Sequence, residues 1–138
     1  MTEKELLLLA CEARKNAYAP YSGFAVGAAL LTSDGGVFQG CNVENASFSA
    51  TCCAERTALF SAVARGKKSF SALAIAGGKI GEDPSEPCPP CGVCRQALAE
   101  FCPPEFPIYL AEGGSIKKIN LGALLPEAFT NKNIQKEG

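Results

Sequence analysis

Apolar residues recur at helical spacing through Leu6, Leu9, Ala10, Ala13 and Ala17, which predicts an amphipathic first helix. Thr2, with Glu5 three residues on, has the pattern of an N-cap, and Pro20 stops the helix because proline lacks the N–H that a helix interior needs. The period then changes. Residues 24–31 are a nearly unbroken apolar run, Ser33-Asp34-Gly35-Gly36 is turn chemistry, and residues 37–42 can return antiparallel, so a hairpin of two core strands is expected. Thr51 can cap a helix running to Ala64 before Gly66 ends it, residues 70–76 read as a buried strand, and residues 77–90 as a polar, proline-rich connection. Another helix starts near Gly92, carries Val93, Ala97, Leu98 and Phe101, and is broken by Pro103-Pro104. Residues 107–110 and 116–119 supply two short strands, and residues 121–129 are the last apolar segment. An opening hairpin followed by helix, strand, helix and two further strands predicts an α/β fold of three layers, α/β/α, with a mixed five-stranded sheet and helices on both faces.

Composition narrows the function. A chain of 138 residues, 47% apolar, suits a single domain over 1–138 with a real core. Its net charge of −1, with Lys and Arg scattered, gives no basic stripe for nucleic acid and no electrostatic reason to visit a membrane. Met1-Thr2-Glu3-Lys4-Glu5 is not the basic start of an export signal, and residues 6–10 are too short for its apolar region. A cytoplasmic location and a small-molecule partner are therefore expected, and the eight cysteines point to metal rather than to disulfides. Cys11, Cys41 and Cys102 read as small buried hydrophobes.

The chemistry concentrates in two places. Cys53-Ala54-Glu55 and Pro90-Cys91-Gly92-Val93-Cys94 offer three thiolates for one zinc ion and a carboxylate beside them. Three protein ligands leave the fourth position of a tetrahedral ion open to water, and a nearby Glu can move that water's proton; a purely structural site would want a fourth ligand. Cys53 falls at the first turn of one predicted helix, and Cys91 and Cys94 at the first turn of the next. Unpaired N–H groups and the positive dipole end favour thiolate at both places. The strand over 70–76 lies between, so the two helices can lie side by side with their N-termini together.

Cys88-Pro89-Pro90-Cys91 is a competing Cys-x-x-Cys, but its prolines remove the N–H donors that steady a thiolate, and Cys88 reads as a bystander. A lone Cys-x-x-Cys would fit a redox dithiol or a zinc knuckle equally well; the conjunction with Cys-Ala-Glu favours metal catalysis. Zinc with three thiolates carries net negative charge, so a cation nearby must offset it. Arg56 is the candidate, and Arg95 a weaker one. Cys53 and Glu55 are only two apart, which a regular helical turn would not place on one face, so the helix start must resolve their geometry.

Cys-Ala-Glu-Arg at 53–56 and Pro-Cys-Gly-Val-Cys-Arg-Gln at 90–96 resemble the zinc nucleoside deaminases, in the form with three cysteines. With Phe24-Ala25-Val26-Gly27-Ala28-Ala29-Leu30, Asn42-Val43-Glu44-Asn45-Ala46-Ser47 and Leu124-Leu125-Pro126-Glu127-Ala128-Phe129, the chain is similar nearly end to end to the small homotetrameric cytidine deaminases. That resemblance implies a cytidine-deaminase-like fold and one zinc per subunit. It implies hydrolytic deamination of cytidine and deoxycytidine in pyrimidine salvage, with active sites shared between subunits of a homotetramer. It also implies roles: Glu55 moves protons, Asn42 and Glu44 hold a ribose hydroxyl, and Phe24 packs on the nucleoside. The Ala54 N–H meets the base carbonyl, and Phe129 of a neighbouring subunit covers the ring. Two departures stand out, Phe48 where relatives commonly have Tyr, and a longer connection over 79–89. A relative acting on a blasticidin-type antibiotic, on guanine or on an adenosine in tRNA is disfavoured by the sugar-site pattern of residues 42–45 and by the absence of a basic surface. A zinc-stabilised binding module would leave Glu55 unexplained.

Overall fold

The Thr2 hydroxyl accepts the Glu5 N–H at 3.1 Å and opens the first helix, α1 (Glu3–Ala13). The computed structural model describes residues 1–134; positions 135–138 of the expected domain lie outside the described residues. The helix tightens into a 3-10 turn (Arg14–Asn16) and ends well before Pro20. Tertiary pairing overrides the expected stop: the Tyr18 N–H donates to the Asn42 carbonyl at 2.9 Å, and the Glu44 N–H donates to the Tyr18 carbonyl at 2.8 Å.

The hairpin forms as expected, from β1 (Phe24–Thr32) and β2 (Val37–Cys41). With β3 (Phe70–Lys79), β4 (Pro107–Glu112) and β5 (Ser115–Asn120) it builds one sheet in the order β2-β1-β3-β4-β5. All pairs are antiparallel except β3 and β4. A parallel pair needs a crossover, and α3 (Gly92–Ala99) lies within it. Strand β3 runs past Ala76 to Lys79 because the start of β1, Phe24 to Val26, pairs with Lys79, Gly78 and Gly77.

Alternation along β1 explains its unbroken apolar run. Ala29 faces α1, with Leu6, Leu7, Ala10, Ala74 and Ala76 in the same cluster. Ala28 and Leu30 face the opposite layer, where Ala58, Leu59, Leu73, Ile75 and Leu98 pack. Both faces are covered, so successive residues of opposite orientation must all be apolar. The result is the expected three-layer arrangement, with α1 on one face and α2 (Ala54–Ala64) and α3 on the other.

Two details set where α2 begins. Thr51 does not cap it: the Thr51 hydroxyl accepts the Asn45 N–H at 3.1 Å, and Cys53 holds the N-cap position. Helix and strand also approach unusually closely at Gly40, where a Cβ would collide with the Ala54 carbonyl oxygen and Thr57 Oγ1 and come 2.5 Å from the Ala58 nitrogen. After β5 the last apolar segment becomes a short helix, α4 (Leu121–Leu124), an irregular stretch with Glu127 at φ 50, and α5 (Asn131–Ile134).

Gly40→Ala is expected to lower stability by about 1–3 kcal/mol, since backbone and not a movable side-chain end receives most of the clash. Chemical denaturation measures it. A variant as stable as wild type would show that α2 can back away from β2 without cost.

Candidate metal centre and active site

Both helix starts on this face are cysteines. Cys53 precedes α2 and Cys91 precedes α3, each with extended backbone (ψ 157 and 169), and neither thiol caps a backbone N–H of its own helix. Such sulfurs are available to whatever the helix N-termini face. Cys94 lies in the first turn of α3 and is fully buried. The three Sγ atoms lie within 4.8 Å of one another, with Cys53 and Cys91 3.5 Å apart. Sulfurs bonded to one tetrahedral zinc at ~2.3 Å stand roughly 3.8 Å apart, so the spacing fits. Among the described residues no other cluster of this kind occurs, and Cys88 does not join it.

The surrounding chemistry fits zinc as well. The donors are all sulfur, and the chain contains no histidine. Arg56 Nη2 donates to Cys53 Sγ at 3.5 Å, which places a cation beside the thiols. The Cys53 thiol is held well below its ordinary value, first by its hydrogen bond with Cys94 and then by Arg56 and Cys91, against the effect of burial. Cys94 is pushed up by the same bond and by burial. Backbone pairing fixes Cys53: its neighbour Cys52 exchanges two hydrogen bonds of 2.9 Å with Val43, and Thr57 Oγ1 donates to the Cys41 carbonyl at 2.9 Å.

Glu55 is 4% exposed. Burial, and then the negative charge of Cys53, raises its carboxyl to about 7. Its separation from Cys53 is no obstacle, because Cys53 stands outside the helix in extended backbone while Glu55 is the second helical residue. Ala54, between them, is fully buried and opens α2, where helix geometry leaves its N–H without an intrahelical acceptor.

Asn42 and Glu44 have duties that their sequence pattern did not announce. Asn42 is 8% exposed; its Oδ1 accepts the Val26 N–H and its Nδ2 donates to the Phe24 carbonyl, both at 2.9 Å, leaving one amide N–H. Glu44 Oε1 accepts the N–H groups of Tyr21 and Ser22 at 3.0 and 3.1 Å, and Oε2 accepts the Ser22 hydroxyl. Together they fix the loop that leads into Phe24. The long connection also reaches the site: a Cβ on Gly77 would lie 2.8 Å from Cys88 Sγ and 3.0 Å from Phe24 Cε2. Cys88 is therefore a neighbour of Phe24, its thiol pushed up to about 11 by burial and then by Glu55 and Cys53. Cys11, Cys41 and Cys102 are raised by burial. Phe48 is exposed and meets Tyr21 edge-on at 6.2 Å, and Phe129 is 62% exposed. Arg95 hydrogen-bonds to the carbonyls of Pro90 and Leu124.

Residues 1–110 match the family described as the cytidine and deoxycytidylate deaminase zinc-binding region. The chain is 46% identical to a cytidine deaminase of Sporosarcina psychrophila, covering 97% of this chain and 96% of that one. It is 47% identical to a cytidine deaminase of Halalkalibacterium halodurans, covering 97% and 98%. The crystal structure of cytidine deaminase from Burkholderia pseudomallei superposes with a TM-score of 0.85 at 49% identity, covering 94% of this chain and all of that one.

The raised carboxyl of Glu55 has a consequence for the metal-free protein. A group whose folded pKa exceeds its unfolded one contributes stability that is full below about 4.5 and lost as pH rises through about 7. The stability difference between wild type and Glu55→Gln is thus expected to shift against wild type by on the order of 2–3 kcal/mol across that window. Denaturation at several pH values in chelator measures it; a difference that stays constant with pH would mean Glu55 is not a buried acid.

Proposed function

Because the chain belongs to the cytidine and deoxycytidylate deaminase family, we infer that it hydrolyses cytidine and deoxycytidine to uridine and deoxyuridine with release of ammonia, using one zinc per subunit. The observation that carries the residue assignment is a buried glutamate, able to exchange a proton near neutral pH, at the helix start that also brings Cys53 to two other thiols.

Cys53, Cys91 and Cys94 would hold the zinc, and Arg56 offsets their charge. Zinc held there supplies a Lewis acid that lowers the pKa of water. Glu55 takes a proton from the attacking water and delivers it to ring N3 while the oxygen bonds to C4. It then takes the remaining proton from the C4 hydroxyl and carries it to the exocyclic amine; the C4–N bond breaks, the C4 carbonyl forms, and ammonia leaves. A carboxyl near 7 suits both transfers, since it accepts and releases a proton at similar cost. The Ala54 N–H donates to the base carbonyl. Asn42 retains one N–H, and Glu44 retains acceptor capacity, for a ribose hydroxyl. Phe24 offers a half-exposed ring to the nucleoside.

We read the active form as a homotetramer in which Phe129 of a neighbouring subunit covers the base. Exposed rings at Tyr21, Phe48 and Phe129 support that reading. A single catalytic domain acting in the cytoplasm on salvaged pyrimidine nucleosides completes it; among the described residues no helix is long and apolar enough to cross a membrane.

Ultraviolet absorbance of cytidine, followed with and without a strong chelator and after zinc is restored, tests reaction and metal together. A chelator-sensitive conversion to the uridine spectrum with ammonia release is expected, and no change from folded, zinc-loaded protein would refute it. Glu55→Gln is expected to keep zinc and bind nucleoside while losing at least roughly a thousand-fold in turnover. An active variant would remove Glu55 from the mechanism. Cys91→Ala should lose zinc and Cys88→Ala should keep it; the opposite pattern in metal analysis would transfer the ligand role to Cys88.

A further inference from the structure

The Arg-Gln pair that ends the Pro-Cys-Gly-Val-Cys-Arg-Gln motif makes no bond to the thiols, yet both side chains are committed. Arg95 Nε donates to the Pro90 carbonyl at 2.7 Å, and its Nη1 donates to the Leu124 carbonyl at 2.8 Å. Gln96 Nε2 donates to the Phe129 carbonyl at 2.7 Å. Pro90, fully buried, immediately precedes Cys91. Leu124 ends α4, where helix geometry leaves carbonyls without internal partners, so an outside donor is needed.

This single-turn helix is itself anchored at its start. The Leu121 N–H donates to the Phe106 carbonyl at 2.9 Å and the Gly122 N–H to the Pro104 carbonyl at 2.8 Å. Gly122 packs so tightly that a Cβ would come 2.9 Å from the Pro104 Cβ. A guanidinium is a rigid planar fork, and here its two prongs span from the end of that anchored helix to the residue before a thiol; the single flexible ammonium of lysine cannot hold both carbonyls in that geometry.

We propose that Arg95 is a positioning residue for zinc retention, fixing the Cys91 turn by tying Pro90 to the last residue of α4, a one-turn helix anchored at its start, and that Gln96 separately places Phe129 for the substrate. This rests on the zinc-deaminase reading of the site. The two residues are adjacent in sequence but govern different properties: Arg95 acts through the metal-binding turn, and Gln96 through the segment that carries the aromatic ring.

The test compares full-length holoenzyme variants Arg95→Gln, Arg95→Lys and Gln96→Ala. The readouts are the rate of zinc transfer to a chromogenic chelator, hydrogen exchange of residues 88–92 and 121–130, and kcat and KM for cytidine. Arg95→Gln is expected to speed zinc loss about 10–100-fold, the range seen when groups that orient metal ligands are removed, with faster exchange in both segments. Arg95→Lys should recover part of that loss. Gln96→Ala should raise KM with zinc loss close to wild type. Wild-type zinc retention and protection in Arg95→Gln would overturn the proposal, as would equal acceleration of zinc loss in Gln96→Ala. If Arg95→Gln does not fold, Arg95→Lys decides: it keeps the charge, and wild-type retention in it overturns the tether. A wild-type protein that neither holds zinc nor deaminates cytidine would instead defeat the functional reading, and the exchange comparison would still test the tether.

Discussion

Three thiols within 4.8 Å of one another cannot all ionise without strong mutual repulsion, and the architecture around them answers that constraint. Two helices aim their N-termini at the same point. Arg56 adds a full charge at Cys53, and a cation accommodated among the sulfurs would resolve the remainder. The close approach of α2 to β2 at Gly40 and the double hydrogen bond between Cys52 and Val43 hold Cys53 in place against that repulsion. Burial raises Glu55, and the negative charge that Arg56 helps to settle on Cys53 raises it further, so the thiol and the carboxyl are tuned in opposite directions side by side.

Much of this was legible in the sequence where local periodicity and chemistry agree. The hairpin, the alternating helices and strands and the convergence of Cys53, Cys91 and Cys94 follow from spacing, because a strand between two helices dictates where those helices can lie. The errors fall where long-range contacts compete with local signals. α1 stops early because Tyr18 pairs with the segment around Asn42, some distance away in sequence, and Thr51 serves Asn45 instead of the helix that follows it. No propensity rule sees either partner. In the sequence Arg95 is only a charge near sulfur; its carbonyl partners, Pro90 and Leu124, become visible only once the chain is folded.

Asn42 and Glu44 illustrate a second limit of sequence reading. Their motif points to a sugar, and nothing in it reveals that Asn42 fastens the start of β1 or that Glu44 closes the Tyr21–Ser22 turn. Each side chain has capacity left after its structural bonds, so one residue can serve both scaffold and ligand. Such sharing makes the pocket rigid without adding residues. A ligand held by Asn42 would thereby be coupled to the placement of Phe24, whose carbonyl Asn42 holds.

The position of β3 between the two cysteine-bearing helices sets an order of events. Cys53 and Cys91 are separated by 38 positions, so an unfolded chain presents only Cys91 and Cys94 as a local pair, and the third sulfur arrives after loop closure. That closure depends on β3 pairing with β1 on one side and β4 on the other. In a small zinc-nucleated domain the ion gathers the chain; here the sheet holds the two helices together, and capture of one ion by all three sulfurs becomes a signal that β3 is in place.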